Sequence, residues 1–388
     1  MDIFSQDKEY IANTYGRLPV EFVSGKGSVL RDSEGKEYID LGSGIAVNIF
    51  GIADDEWVSA VTSQLTKLQH TSNYYYTEPQ ADLAKQICER TNMKKVFFGN
   101  SGAEANECAI KTARKYGNKV LGFENPVIIT LKNSFHGRTV TTLTATGQDV
   151  FHKDFGPFTP GFVYAEANNR EELLRLSEEN DDCCAVMMEL IQGEGGVMAL
   201  DKDYVEYARE LCTKKNMLLI IDEVQTGNGR SGCLYSFMNY GIQPDIFTTA
   251  KGLGGGLPIG AAVLGEKVKD ILTAGDHGST FGGNPVCAAG ALNVFGRIDD
   301  ELLTSVKEKS EYIISEIKDL DGVEGISGMG LMLGIKTKKD AKAILKECLN
   351  RGVLVLTAKD KVRLLPALNI PMAELKKGIE ILKEVISA

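Results

Sequence analysis

Two stretches decide the fold: Leu218–Gly232, LLIIDEVQTGNGRSG, and Asp245–Gly256, DIFTTAKGLGGG. In the first, the apolar run Leu218 to Ile221 leads directly into Asp222 and Glu223. In the second, a short β-rich run (Asp245 to Thr249) leads to Lys251 and a glycine-rich loop. Short apolar runs bounded by turn residues read as buried strands. Strand ends are where an open parallel α/β sheet opens its ligand crevice. An acid at one strand end and a lysine at a neighbouring one is the pair that pyridoxal phosphate requires. The carboxylate keeps the pyridine nitrogen protonated, and the amine forms a Schiff base. Either residue alone is commonly a cap, an ion pair or a surface turn, so the reading rests on both together with the motifs below.

The same stretch contains a competing signature. Gly227, Gly229 and Gly232 spell G-x-G-x-x-G after a strand, the pattern of a dinucleotide site. Asp222 and Glu223 stand between that strand and the first glycine, where they would repel a pyrophosphate. The glycines therefore read as turn formers, and a nicotinamide-dependent dehydrogenase is the weakest of the functional alternatives.

With 388 residues the chain exceeds one ordinary core, so two domains are expected. A hydrophobic fraction of 43% and a charged fraction of 25% belong to a soluble globular protein. The net charge of -10 argues against nucleic acid or an anionic membrane as partner. Met1 to Arg17 is acidic and polar without a signal-peptide core, and no apolar run approaches the ~18 residues of a membrane span. A cytoplasmic location is expected. The 8 cysteines show no C-x-x-C and read as buried thiols; the 4 histidines show no ligand spacing, so no metal is expected.

Val20 to Asp40 reads as an antiparallel meander with turns at Gly25, Gly27 and Gly35. Helices are expected from Asp54 or Asp55 to Leu68 and from Pro79 through Ile87. From Val96 onward strands alternate with helices: Val96–Phe98, Val127–Leu131, Cys184–Met188 and Leu218–Ile221 are the strand candidates. This alternation predicts a mainly parallel sheet covered on both faces. After Asn284 come two helices, short strands at Leu331–Ile335, Val353–Leu356 and Val362–Leu364, and a last helix from Pro371 with Leu375, Ile379, Leu382 and Ile386 on one face. The expected division is a large domain over residues 46–283. Residues 1–45 and 284–388 would together form a smaller α+β domain.

Five further motifs carry chemistry. In VFFGNSGAEANECAIK (Val96–Lys111) a strand turns at Ser101-Gly102-Ala103 into a helix. Ser101 and Glu104 fit a capping box, and the helix N-terminus suits a phosphate. In NSFHGRT (Asn133–Thr139), Phe135 could stack on a pyridine and Arg138 could take a carboxylate, with His136 a polar neighbour. MELIQGEGGV (Met188–Val197) places Glu189 after a buried strand and Glu194 in a glycine loop. HGSTFGGNP (His277–Pro285) offers the Ser279 and Thr280 hydroxyls. In VRLLP (Val362–Pro366), Arg363 sits on an apolar strand and needs a carboxylate partner.

In this order these motifs resemble the class III, ornithine-type aminotransferases of PLP fold type I, and the resemblance spans about Tyr15 to Ala388. It implies an α/β fold with a seven-stranded, mainly parallel large-domain sheet, the cofactor pyridoxal 5'-phosphate, and a cytoplasmic homodimer with shared active sites. Residue by residue it implies Lys251 as the Schiff-base lysine and Asp222 as the partner of the pyridine nitrogen. Gln225 would contact the ring hydroxyl, Ser101, Gly102 and Ala103 the phosphate, and Phe135 the ring face. Thr280 would reach the phosphate from the partner subunit, and Ser279 would lie among the substrate-facing groups. Arg138 would hold a substrate carboxylate. Arg363 would bind the glutamate α-carboxylate, with Glu194 as its switching partner.

The chain departs from the family pattern at two places. Gly51-Ile52-Ala53-Asp54-Asp55 replaces the family's Gly-His-x-His-Pro, which would alter only a helix start. Gly44 stands where the ornithine-specific members carry a tyrosine. That leaves room for an acyl group, so N2-acetylornithine is the implied donor in arginine biosynthesis, with 2-oxoglutarate as acceptor. Other ω-amino donors (succinylornithine, ornithine, 4-aminobutyrate or acyl-lysine), racemase or lyase chemistry, and a non-catalytic binding protein are the alternatives.

Overall fold

The structure is a computed structural model that describes residues 2–388. Its centre is a seven-stranded sheet in the order Lys95–Gly99, Gly260–Leu264, Ile246–Thr249, Leu218–Asp222, Cys183–Met188, Val127–Leu131 and Phe162–Ala165. Gly260–Leu264 runs antiparallel to both neighbours; the other pairings in the sheet are parallel. Leu218–Asp222 lies at the middle of that order, with Ile220 in register with Met187 on one side and Ile246 on the other. Leu218, Leu219, Ile220 and Ile221 are fully buried, each contributing about 1.5–3 kcal/mol of apolar burial. Fixing this strand fixes where Asp222 emerges.

The helices cover the sheet for reasons visible in their ends. Gly102–Tyr116 begins at Ser101, whose hydroxyl accepts the Glu104 N–H at 3.2 Å. The Glu104 carboxylate reaches back to the Asn100 N–H at 2.7 Å, one residue earlier than the expected capping box. Asp54, not Asp55, caps Asp55–Leu65 by accepting from the Trp57 N–H, and it also pairs with Arg297 at 2.5 Å. Pro285–Gly296 packs on Asp55–Leu65 and on Glu78–Thr91. Cys108, Cys183, Cys184, Cys212 and Cys348 are buried, and desolvation pushes each thiol up to about 12. These thiols are inert packing groups.

The two chain ends meet in a second sheet. The meander Phe22–Lys26, Val29–Asp32 and Glu37–Asp40 is extended by Val353–Leu354, which pairs parallel to Glu37–Asp40. The single strand expected over Val353–Leu356 divides at Val355. Its second part, Leu356–Ala358, joins a third sheet with Lys361–Leu364, Met332–Thr337 and Val323–Met329. Helix Met372–Ser387 closes the chain with Leu375, Ile379, Leu382 and Ile386 buried. Among the described residues no helix is long and apolar enough to cross a membrane.

Between the meander and helix Asp55–Leu65 lies a left-handed turn. Ser43, Gly44, Ile45 and Ala46 have φ of 47°, 60°, 65° and 62°. Three of these are not glycine, and left-handed backbone costs each about 1–2 kcal/mol. The turn is held by the Asp40 carboxylate, whose Oδ1 accepts the Gly42 and Ser43 N–H groups at 2.8 Å each. Such strain persists only where the surroundings over-determine it, and Val47, the next residue, lines the cavity beside Asp222 and Lys251.

Candidate active site

A cavity of 440 Å³ opens where the parallel strands end. Its walls include Ser101, Gly102, Ala103, Phe135, Arg138, Asp222, Gln225 and Lys251. Six separate segments of the chain thus converge on one space.

Asp222 is 3% exposed at the end of the central strand. Its Oδ2 accepts from Asn106 Nδ2 and His136 Nδ1, both at 2.8 Å, and its Oδ1 accepts the Val224 N–H at 3.0 Å. Donors aimed at a buried carboxylate fix its orientation and satisfy its oxygens. Asn106 is itself set by Thr248, which donates to its Oδ1 at 2.7 Å, and it donates to the His136 carbonyl at 2.7 Å. Sequence reasoning passed over Asn106. The available signal is that it shares a helix face with Ala109 and Ala113, where a polar side chain needs a buried partner.

Lys251 follows Ile246–Thr249 with φ of 46°, an uncommon conformation for a side chain of this length. Burial pushes its ammonium down, and the carboxylates of Glu194 and Asp222 push it partly back. A lysine in this environment holds a neutral, nucleophilic amine more readily than one in water.

The turn Ser101–Ala103 places the N-terminus of a 15-residue helix against the cavity. The Gly102 and Ala103 N–H groups precede any intrahelical acceptor. Two glycines make the turn this tight. A Cβ on Gly102 would stand 2.6 Å from Val224, and one on Gly260 would stand 2.2 Å from the Ser101 carbonyl oxygen.

Glu189 is buried, and desolvation pushes its carboxyl up against the opposing effect of His136. It accepts the Phe135 N–H at 2.8 Å and the Gly193 N–H at 3.1 Å, and so clamps the loop bearing Phe135 to the loop bearing Glu194. Phe135 meets Phe151 edge-on at 5.6 Å, and the exposed Arg138 guanidinium lies 4.2 Å above the Phe151 ring.

Arg363 Nη1 donates to Glu194 Oε1 at 2.6 Å and to Gln225 Oε1 at 3.2 Å. The Arg363 side chain is 5% exposed and that of Glu194 28%, so Glu194 is the partner with room to move. Ser279 accepts from Asn100 Nδ2 at 3.0 Å. Thr280 is exposed, outside this cavity, beside a small pocket with His70, Asn73 and Gln80. One chain therefore brings together the predicted site residues other than Thr280.

The donor set, an amine, a buried carboxylate, a helix N-terminus and an aromatic ring, fits a group with a carbonyl, a protonated heterocycle and a phosphate. The aminotransferase class-III family model matches residues 10–386, and the chain belongs to that family. The acetylornithine aminotransferase of Haemophilus ducreyi is 47% identical over 383 residues, covering 98% of this chain and 97% of that protein. An N-acetylornithine aminotransferase from Stenotrophomonas maltophilia superposes with a TM-score of 0.86 at 35% identity, over 99% of this chain and 98% of that one. The ornithine aminotransferase from Toxoplasma gondii superposes with a TM-score of 0.94 at 29% identity, over 99% of this chain and 93% of that one, and was crystallised with PLP partially occupying its active site.

Proposed function

We propose that this chain uses pyridoxal 5'-phosphate to transfer the δ-amino group of N2-acetylornithine to 2-oxoglutarate. The products are N-acetylglutamate 5-semialdehyde and glutamate. The convergence of Lys251, Asp222 and the Ser101–Ala103 turn on one cavity carries the reading. The acetylornithine aminotransferases among its relatives support the donor.

Ser101, Gly102 and Ala103 would hold the phosphate, Phe135 the ring face, Gln225 the ring hydroxyl and Asp222 the pyridine nitrogen. When bound, the cofactor supplies an electron sink for the carbanion left as the donor carbon loses its proton. Lys251 Nζ would hold the cofactor and, once freed by the incoming donor amine, would act as the general base toward the proton on the donor carbon. Arg138 takes the donor's carboxylate. Glu194 neutralises Arg363 while the ω-amine is bound, and swings away when the α-carboxylate of glutamate or 2-oxoglutarate needs the guanidinium. Two substrates sharing one site in turn give ping-pong kinetics. Thr280, exposed in one chain, would serve the phosphate of a second copy.

A donor panel tests the substrate. N2-acetylornithine is expected to show the highest kcat/KM, ahead of succinylornithine, ornithine and 4-aminobutyrate. Gly44→Tyr sharpens the test. Gly44 has φ of 60°, and a Cβ there meets only Asn48 Nδ2, at 3.3 Å. The backbone strain lowers activity with all donors, so the ratio is the readout. The acetylornithine-to-ornithine ratio of kcat/KM should fall by about tenfold or more, and an equal loss on both donors would count against the role of Gly44.

Gly260→Ala tests the phosphate turn. The new methyl group must displace the Ser101 carbonyl, an overpacking cost of about 1–3 kcal/mol. The Kd for pyridoxal phosphate, followed by fluorescence titration, should rise by roughly tenfold. Unchanged affinity would mean that the phosphate lies elsewhere.

A further inference from the structure

The stretch Gly227–Gly232, which mimics a dinucleotide signature, has its own structural logic. A Cβ on Gly227 would stand 2.7 Å from the Tyr235 ring, and one on Gly229, at φ of +86°, 2.8 Å from Leu368. The chain is threaded through crowded space, and the crowding fixes two polar side chains. Asn228, 1% exposed with φ of 56°, donates through Nδ2 to Thr249 Oγ1 at 3.0 Å and to the Ala250 carbonyl at 3.3 Å. Those are the two residues immediately before Lys251.

Arg230 faces the other way and is fully buried. Its Nη1 donates to the Leu331 carbonyl at 3.0 Å and to the Pro366 carbonyl, three residues past Arg363. Its own carbonyl accepts the Leu331 N–H at 2.9 Å. The neighbouring Leu365 N–H donates to the Leu41 carbonyl at 2.7 Å, next to Asp40, which anchors the left-handed turn and whose charge favours the Arg230 cation. A buried guanidinium committed to backbone carbonyls is a costly way to hold a surface loop. It is an effective way to fix the distance between two sheets.

We propose that Asn228 and Arg230 are positioning residues that set the spacing between Lys251 and Arg363, and hence between the amine that moves the proton and the guanidinium that takes the α-carboxylate. The proposal rests on the transamination reading. Asn228 acts on the lysine, which both half-reactions use. Arg230 acts on Arg363, which only the glutamate half-reaction uses.

The test is the single-turnover rate of the full-length, cofactor-loaded protein with N2-acetylornithine and, separately, with glutamate. Asn228→Gly keeps the positive φ accessible and removes the side chain with both of its hydrogen bonds to Thr249 and Ala250. Both half-reactions should slow by about tenfold, since a small misplacement of a reacting group costs that much or more. Arg230→Met should weaken apparent glutamate binding by about tenfold while the acetylornithine half-reaction keeps most of its rate. Arg230→Lys, which restores a cation and guards against misfolding of the methionine variant, should recover part of the glutamate affinity. Equal losses in both half-reactions for the Arg230 variants, or an unchanged rate for Asn228→Gly, would overturn the proposal. A wild-type protein that reacts with neither amine would refute the transamination reading itself, before any variant is made.

Discussion

Replacing Lys251 with alanine is expected to lower turnover by at least about 10⁴-fold, since one side chain carries both the nucleophilic and the general-base duty. Lys251 is the only lysine among the described residues lining the cavity, so no neighbour can substitute. The fold should survive the change. The Lys251 amine makes no hydrogen bond among the described residues, and the 3-10 turn Lys251–Gly254 is set by its backbone and by Asn228 holding the Ala250 carbonyl. Two measurements check this. Steady-state assays give the loss of kcat. Borohydride reduction followed by peptide mapping should place a pyridoxyl label on the Lys251 peptide of the wild-type protein and remove it in the variant. A variant retaining a substantial fraction of kcat would contradict the assignment.

Asp222→Asn should cost about 10²–10⁴-fold in kcat with little change in KM, the range found when a preorganised charge is removed from a buried site. The substitution keeps the shape of the side chain. The Val224 N–H still has an acceptor nearby, but Asn106 Nδ2 and His136 Nδ1 now face a group without the negative charge they were arranged around. What is lost is the counter-charge for a protonated pyridine nitrogen. A kcat within tenfold of wild type would show that the nitrogen's protonation is controlled elsewhere.

Asp222 and Lys251 were legible in the sequence because charge at the end of an apolar strand is expensive unless it has a task. Leu218–Ile221 read as a strand from its apolar run, whereas the count of seven strands came only from the family resemblance, since Phe162–Ala165 and Gly260–Leu264 carry no comparable signal. Arg363 was legible for the same reason, and its pairing with Glu194 satisfies the need that an apolar strand created. Gly260–Leu264 escaped notice because its residues, GAAVL, are small and follow a glycine loop. Val323–Met329 escaped because two of its seven residues are glycine. Val353–Leu356 read as one strand because its apolar run is continuous, and only the tertiary structure shows that it serves two sheets. The left-handed turn at Ser43–Ala46 leaves no trace in composition, since nothing in Ser-Gly-Ile-Ala demands it. Asn106 required the phase of its helix relative to the sheet, which is a packing property. Thr280 lies outside the cavity of a single chain, so one chain's geometry supplies no role for it.

The most direct test of the account is the visible absorption spectrum of the purified, cofactor-loaded protein before and after addition of N2-acetylornithine, with 2-oxoglutarate withheld. The expected result is a band from cofactor bound to Lys251, its collapse to the pyridoxamine form on adding the donor, and its return when 2-oxoglutarate is supplied. A band that N2-acetylornithine leaves unmoved would contradict the donor. A protein that shows no such band even in excess pyridoxal phosphate would contradict the placement of Lys251 and Asp222 at the centre of the site.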